Sequence, residues 1–194
     1  MTTVIRGDDN FDTADNATQT ELDSGLAGKI DTGSGGKVLQ VVQTVHPSAN
    51  SYNTRSWADI ASLSATITPS STSSKILVSG FVTWSGETIN GWLETHFRVT
   101  ENGSPISVGT YGTNYVQGMG GSGLRHDGFA RHGTSQSTFS ELRSPATTSA
   151  LTYTVQCSNS GVYGDEIFIN RPYLPSNTYS DTGVSVITLM EVEG

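Results

Sequence analysis

The residues best suited to metal or acid–base chemistry are the four histidines, His46, His96, His126 and His132. A zinc site needs three or four converging ligands. His126 and His132 share a face on one regular strand, but they then lie about 20 Å apart along it. The histidines are expected to be polar residues at the surface or at a subunit interface. The alternative is a metal site on a trimer axis, where three copies of one histidine meet. The sequence therefore predicts no metal site.

Nucleophilic and glycosidic chemistry is also poorly supported. A hydrolase serine needs a sharp strand-to-helix elbow, whereas Gly33-Ser-Gly-Gly36 and Gly120-Gly-Ser-Gly123 are typical of flexible loops. Paired carboxylates for glycoside cleavage could come only from a few scattered residues. These are Glu87, Glu94, Glu101, Glu141, Asp165 and Glu166. We expect a protein that is not an enzyme and that has no catalytic residue and no cofactor.

Charge and composition exclude other classes. The net charge is −8, and the ten Lys and Arg residues are scattered, so there is no basic stripe for nucleic-acid phosphates. No apolar run is long enough to cross a membrane as a helix, and no secretory leader is visible. Cys157 is the single cysteine, and it shares the phase of Leu151, Tyr153 and Val155, which predicts a buried small side chain.

Short runs rich in β-branched and aromatic residues predict an all-β protein. Strands are expected at 37–45, 60–67, 75–84, 92–99, 106–108, 128–131, 136–142, 151–157 and 184–192. The glycine cluster at 118–123 is expected to be a loop, as is the long segment from 159 to 183. About eight alternating strands separated by turns predict an antiparallel β-sandwich or jelly roll. Trp57 and Trp84 are expected in its core.

Residues 1–36 differ from the rest. They are polar and acidic, with a short helix expected around Thr18–Leu22 and a Gly/Ser-rich linker at 31–36. The apolar content is too low for independent folding, so we expect a short extended arm that orders against another surface. Val4, Ile5 and Phe11 are its candidate attachment residues. The predicted domains are the arm at 1–36 and the sandwich at 37–194.

Two loops carry aromatic residues suited to contact with a partner. Tyr and Arg on a loop stiffened by proline are typical of interface anchors. The candidates are Tyr163, Asn170, Arg171, Tyr173 and Tyr179 in one loop and Tyr111 and Tyr115 in the other. The alternative is that these aromatics pack against the sandwich or a neighbouring subunit.

From Lys37 onward the sequence resembles a family of structural proteins of tailed bacteriophages of marine bacteria. The most specific block is Ile67-Thr-Pro-Ser-Ser-Thr-Ser-Ser-Lys-Ile-Leu-Val78, preceded by Trp57-Ala-Asp-Ile-Ala-Ser-Leu-Ser-Ala-Thr66. The closing Ser185-Val-Ile-Thr-Leu-Met-Glu-Val192 supports it, as do Gly36-Lys-Val-Leu-Gln-Val-Val42, Tyr153-Thr-Val-Gln156 and Asn170-Arg171. Such modules are similar to the C-terminal domains of tail and head fibres, which are usually homotrimeric jelly rolls.

The resemblance implies a role on the virion surface after synthesis in the host cytoplasm. The implied function is a short trimeric fibre or knob that contributes to host recognition, with a host surface glycan or protein as the outside partner. Residues 1–36 would then attach it to other virion proteins. The alternatives are a purely architectural capsid decoration, collar or adaptor component, and a hydrolytic depolymerase. Trimerisation also has a physical motive, because hydroxyl-rich strands bury little apolar area in one subunit.

Overall fold

The runs of β-branched and aromatic residues form strands in the computed structural model, which describes residues 36–87, 92–109, 118–125, 133–159, 166–173 and 180–194. No helix occurs in these ranges. Residues 37–194 form one compact unit. Three groups of predictions lie outside the described residues. These are the attachment residues Val4, Ile5 and Phe11, the arm helix expected at Thr18–Leu22, and the strand expected at 128–131.

Eleven strands follow one another along the described chain. The first six are β1 (Val38–His46), β2 (Asn50–Tyr52), β3 (Ala58–Ile67), β4 (Lys75–Glu87), β5 (Trp92–Glu101) and β6 (Ser104–Ile106). The remaining five are β7 (Gly120–Arg125), β8 (Ser135–Arg143), β9 (Leu151–Asn159), β10 (Glu166–Ile169) and β11 (Ser185–Val192).

The strands form two antiparallel sheets. In sheet A the pairing order is β1-β11-β4-β10-β2, and β8 pairs with the edge of β4 opposite β11 and β10. In sheet B the pairing order is β3-β9-β5-β6, and β7 pairs with the same edge of β5 as β6, opposite β9. Without the short strands β2, β6 and β10, the orders are β1-β11-β4-β8 and β3-β9-β5-β7. This is the strand order of a jelly roll, so the predicted fold class is confirmed.

The core lies between the two sheets and is built from alternate residues of each strand. Ile76, Val78, Val82 and Trp84 project inward from β4, where Trp84 is fully buried. The predicted phase of β9 is confirmed, since Leu151, Tyr153, Val155 and Cys157 are all in the core. Burial raises the pKa of the Cys157 thiol to about 12, so this cysteine packs as a small apolar side chain.

Gly80 takes an inward position on β4 where no side chain fits. A Cβ there would lie 2.1 Å from the Val186 carbonyl oxygen and 2.7 Å from Cζ of Phe139. The missing side chain lets β11 approach β4 and gives the Phe139 ring its place. One glycine thus sets the packing of three adjacent strands.

Two local features follow closely from the sequence. Asn102 and Gly103 have φ values of 48° and 83° and form the two-residue turn between β5 and β6, as the dipeptide predicts. The turn is so tight that β6 begins at Ser104, two residues before the predicted strand. In β3, Ser62 has a φ of 60° where the register shifts, and this bulge keeps both Ile60 and Leu63 buried.

Two loop predictions are wrong. The glycine cluster contributes β7, because residues 120–125 pair with the free edge of β5 and glycine does not prevent an extended backbone. The segment 159–183 contains β10, which pairs with β4 and β2. Isolated short segments like these become strands only through a neighbouring edge, which local sequence does not reveal.

Candidate functional site

The predicted contact loop is built on β10. Ile167 and Ile169 project into the core, and Phe168 therefore projects from the outer face of sheet A. The backbone continues through Asn170 into Arg171, whose carbonyl accepts a hydrogen bond from Ser85 Oγ at 2.8 Å. The strand and this bond together hold the segment against β4.

Phe168 is covered by two residues that follow it in the chain. Cζ of Arg171 lies 4.0 Å from the ring centroid, and the Tyr173 ring stacks on it with centroids 5.7 Å apart and planes 19° apart. Phe168 is consequently buried, while Arg171 and Tyr173 are half-exposed. We call these three residues the Phe168 cluster. It presents a cation and a phenol at fixed positions, which is the chemistry of an interface anchor.

Asn170 is a structural residue, and its assignment as a surface contact is corrected. It is 3% exposed, and its Nδ2 donates to the carbonyls of His46 at 2.6 Å and Ser48 at 3.0 Å. Its Oδ1 accepts a hydrogen bond from Ser185 Oγ at 2.7 Å. A positive φ of 60°, which asparagine tolerates better than most residues, turns the amide inward. The amide therefore joins the end of β1 to the start of β11.

Four of the predicted contact residues are not among the residues that the structure describes. These are Tyr163, Tyr179, Tyr111 and Tyr115. The described part of the predicted site therefore consists of Arg171 and Tyr173, with Phe168 as their support.

A second arginine–aromatic pair lies on the outer face of sheet B. Cζ of Arg98 is 4.2 Å from the Trp57 ring centroid, and Arg98 Nε donates to Gln156 Oε1 at 2.7 Å. Gln156 Nε2 in turn donates to Asp59 Oδ1 at 2.7 Å. The prediction that Trp57 belongs to the core is wrong, because it precedes β3 and is half-exposed. Its placement could not be read from the sequence, since the partner strands β5 and β9 are remote in the chain.

Two of the scattered carboxylates, Glu101 and Glu141, meet around one arginine. Arg143 lies 3.0 Å from Glu141 Oε1 and 3.5 Å from Glu101 Oε2. Tyr153 donates to Glu101 Oε2 at 2.6 Å, and burial together with this bond raises the Tyr153 pKa. The group bridges β5, β8 and β9 as a partly buried ion-pair network.

Among the described residues, the most buried carboxylate is Glu191 on β11, which is 1% exposed. Its Oε1 accepts hydrogen bonds from Ser70 N at 2.7 Å and Ser70 Oγ at 2.6 Å. Its Oε2 accepts one from Gln40 Nε2 at 2.5 Å. Burial alone would raise the pKa of Glu191, but these hydrogen bonds lower it to about 2. Glu191 is therefore ionised, and its hydrogen bonds hold Ser70 and Gln40 against β11 at one end of the sandwich.

The described residues also bear on metal and small-molecule binding. Within the described ranges, no three His, Cys, Asp or Glu residues are grouped to hold a metal ion. His46 is buried and its Nε2 lies 2.7 Å from Asn50 Oδ1, while His126 and His132 are not described. A cavity of about 20 Å³ between β5 and β8 has room for about one water. In the described residues, no helix is long and apolar enough to cross a bilayer.

Comparison of the sequence with protein-family models and with curated proteins gives no match.

Proposed function

We propose that this chain is a structural protein of a bacteriophage virion, where it forms a short trimeric fibre or knob and contributes to recognition of the host surface. The observation that carries the proposal is the contact between Ser70 and Glu191. Ser70 lies in the block 67–78 and Glu191 in the block 185–192, which carry the strongest resemblance to phage structural proteins. The two blocks are therefore parts of one structural unit.

The other motifs of the resemblance also lie in the framework of the sandwich. Residues 36–42 lead into and form the first half of β1, residues 153–156 lie in β9, and Asn170-Arg171 follows β10. Together they reach both sheets, and the all-β sandwich is the fold that the resemblance implies. This distribution supports a shared assembly role more than a shared receptor.

The recognition part of the proposal rests on the Phe168 cluster. Arg171 and Tyr173 are held in place by Phe168 and Ser85, so they lose little conformational entropy when a glycan or protein binds. The architectural alternative is a capsid decoration, collar or adaptor. It is favoured by the burial of Asn170, because that motif residue serves the framework and not a ligand.

Analysis of purified particles tests the virion role. The chain is tagged in its native genome, and particles purified by density gradient are examined by mass spectrometry and electron microscopy. The proposal predicts the chain in particles at a copy number divisible by three, with density that fits the sandwich and shows where residues 1–36 attach. Its absence from purified particles would overturn the proposal.

A binding experiment separates recognition from pure architecture. Purified full-length protein that binds host cells and blocks particle adsorption supports the recognition role. Failure of both, with the chain present in particles, selects the architectural alternative. Release of sugar fragments from host polysaccharide would instead indicate a depolymerase.

A further inference from the structure

The outer face of sheet A carries three rows of side chains that run across four strands. The strand pairings align Val41, Met190, Leu77 and Leu142 in the first row. The second row contains Gln43, Thr188, Ser79 and Ser140, and the third contains Val45, Val186, Phe81 and Thr138. Two mainly apolar rows thus flank one polar row, on a backbone frame about 14 Å wide.

This face is accessible. Val41 and Leu142, at opposite ends of the first row, are each 54% exposed, and Val45 is 49% exposed. Val38 and Leu39 extend the apolar surface toward the start of β1. Among the described residues, every exposed large hydrophobic side chain lies in sheet A or, for Val184, just before β11. Exposed apolar rows of this kind on a small domain indicate an interaction surface.

The outer face of sheet B has a different character. It carries a ladder of polar side chains, including a contact of 2.8 Å between the hydroxyls of Thr66 and Thr152. Arg98, Gln156 and Asp59 continue this polar surface. The two outer faces therefore differ in chemistry, and among the side chains that the structure describes only those of sheet A form apolar rows.

We propose that copies of this chain associate through the outer face of sheet A. None of the twelve side chains in the three rows is charged, although the chain has a net charge of −8. Two copies of an acidic protein can therefore meet here without bringing carboxylates together. Because none of these side chains is charged, any part of the face can meet a different part on a neighbouring copy, as the heterologous contacts of a trimer require. This inference rests on the proposed function for its trimeric context.

The experiment measures the mass of the full-length chain by light scattering over a range of concentrations. Val41→Glu and Leu142→Glu place a carboxylate at either end of the first row. Each is expected to raise the dissociation constant of the oligomer at least tenfold. Thr66→Glu is the matched control, because it puts the same charge on an exposed strand position of sheet B and should leave the dissociation constant unchanged. Circular dichroism establishes that each variant is folded.

A second measurement uses the unaltered protein. Amide hydrogen exchange in β1 and β8 should slow as the protein concentration rises through the dissociation constant, whereas exchange in β3 should not change. A wild-type monomer at about 100 μM, or glutamate variants that associate like wild type, would overturn the inference. A monomer in which residues 1–35 protect the patch is one such outcome. If the protein forms a stable oligomer but is absent from purified particles, the proposed interface is supported and the proposed virion role is contradicted.

Discussion

The carboxylate of Glu191 accepts two hydrogen bonds from one residue, the backbone N–H and the hydroxyl of Ser70. Glu191 lies on the last strand, and Ser70 lies in the connection between β3 and β4. Gln40 on β1 donates to the other carboxylate oxygen. One side chain thus joins three chain segments at an end of the sandwich, and charge-assisted bonds of this kind are stronger than neutral ones.

The pKa of Glu191 predicts acid sensitivity. A carboxyl group whose folded pKa is below its unfolded value stabilises the protein above the unfolded pKa, and this contribution disappears as the pH falls through the folded pKa. The folded pKa is about 2 and the ordinary value is about 4.3. The stabilisation by Glu191 is therefore lost as the pH falls from about 4.5 to about 2. The expected size is about 3 kcal/mol, measured by denaturant unfolding at successive pH values.

Replacing the Glu191 carboxylate should remove its hydrogen bonds and the pH dependence of stability that they cause. Glu191→Gln keeps the side-chain size but points an amide N–H group at Ser70 or Gln40, both of which donate. We expect a loss of about 2–4 kcal/mol at pH 7 and a flatter stability profile below pH 4.5. Glu193→Gln is the control, because Glu193 is exposed. Equal effects of the two substitutions would show that the hydrogen bonds of Glu191 do not stabilise the fold.

Asn170 should be as sensitive as a core residue. Asn170→Gly keeps the positive φ accessible but removes the bonds to His46, Ser48 and Ser185, with an expected loss of about 2–4 kcal/mol. Asn170→Ala should lose about 1 kcal/mol more, because alanine is strained at this φ. Asn102→Gly is the control at an exposed turn with the same sign of φ. It removes one exposed hydrogen bond, from Thr152 N to Asn102 Oδ1, and should change stability by less than about 1 kcal/mol. Thermal unfolding of the three variants decides between these values.

Gly80 should not tolerate any side chain. Gly80→Ala forces Cβ against the Val186 carbonyl and Phe139, and overpacking of this kind is expected to destabilise by about 3 kcal/mol. Gly109→Ala is the control, since a Cβ there meets nothing within 4 Å. Shortening Phe139 in the Gly80→Ala background should restore little stability, because the closer clash is with backbone. Full rescue by Phe139→Ala would contradict this assignment of the clash.

Substitutions in the Phe168 cluster should weaken binding to the host cell without a large change in the stability of the fold. Arg171→Ala and Tyr173→Ala remove half-exposed groups, and each should weaken host-cell binding at least tenfold with a stability change below about 1 kcal/mol. Arg98→Ala is the matched control, because it removes the other arginine that lies over an aromatic ring. If all three variants bind equally well in a cell-binding titration, the cluster is not a contact site.

Much of the framework could be predicted from the sequence, because its signals are local. The alternation in β9 placed Tyr153 and Cys157 in the core, and Asn102-Gly103 marked its turn. The contact site was less accessible. Asn170 and Arg171 are adjacent, yet one is buried and the other half-exposed, and their separation depends on hydrogen bonds to residues as distant as His46. Such partners become visible only when the strands are paired.

The position of β11 between β1 and β4 also has a consequence for how the chain acquires its fold. The first strand of sheet A, β1, can pair with its neighbour only after β11 has been synthesised, and most of the domain lies between these two strands in the chain. Pairing across such a sequence separation makes folding slow. Until β11 is synthesised, β1 and one edge of β4 lack their strand partner, a state prone to aggregation. Sheet A can therefore be completed only after β11 has been synthesised.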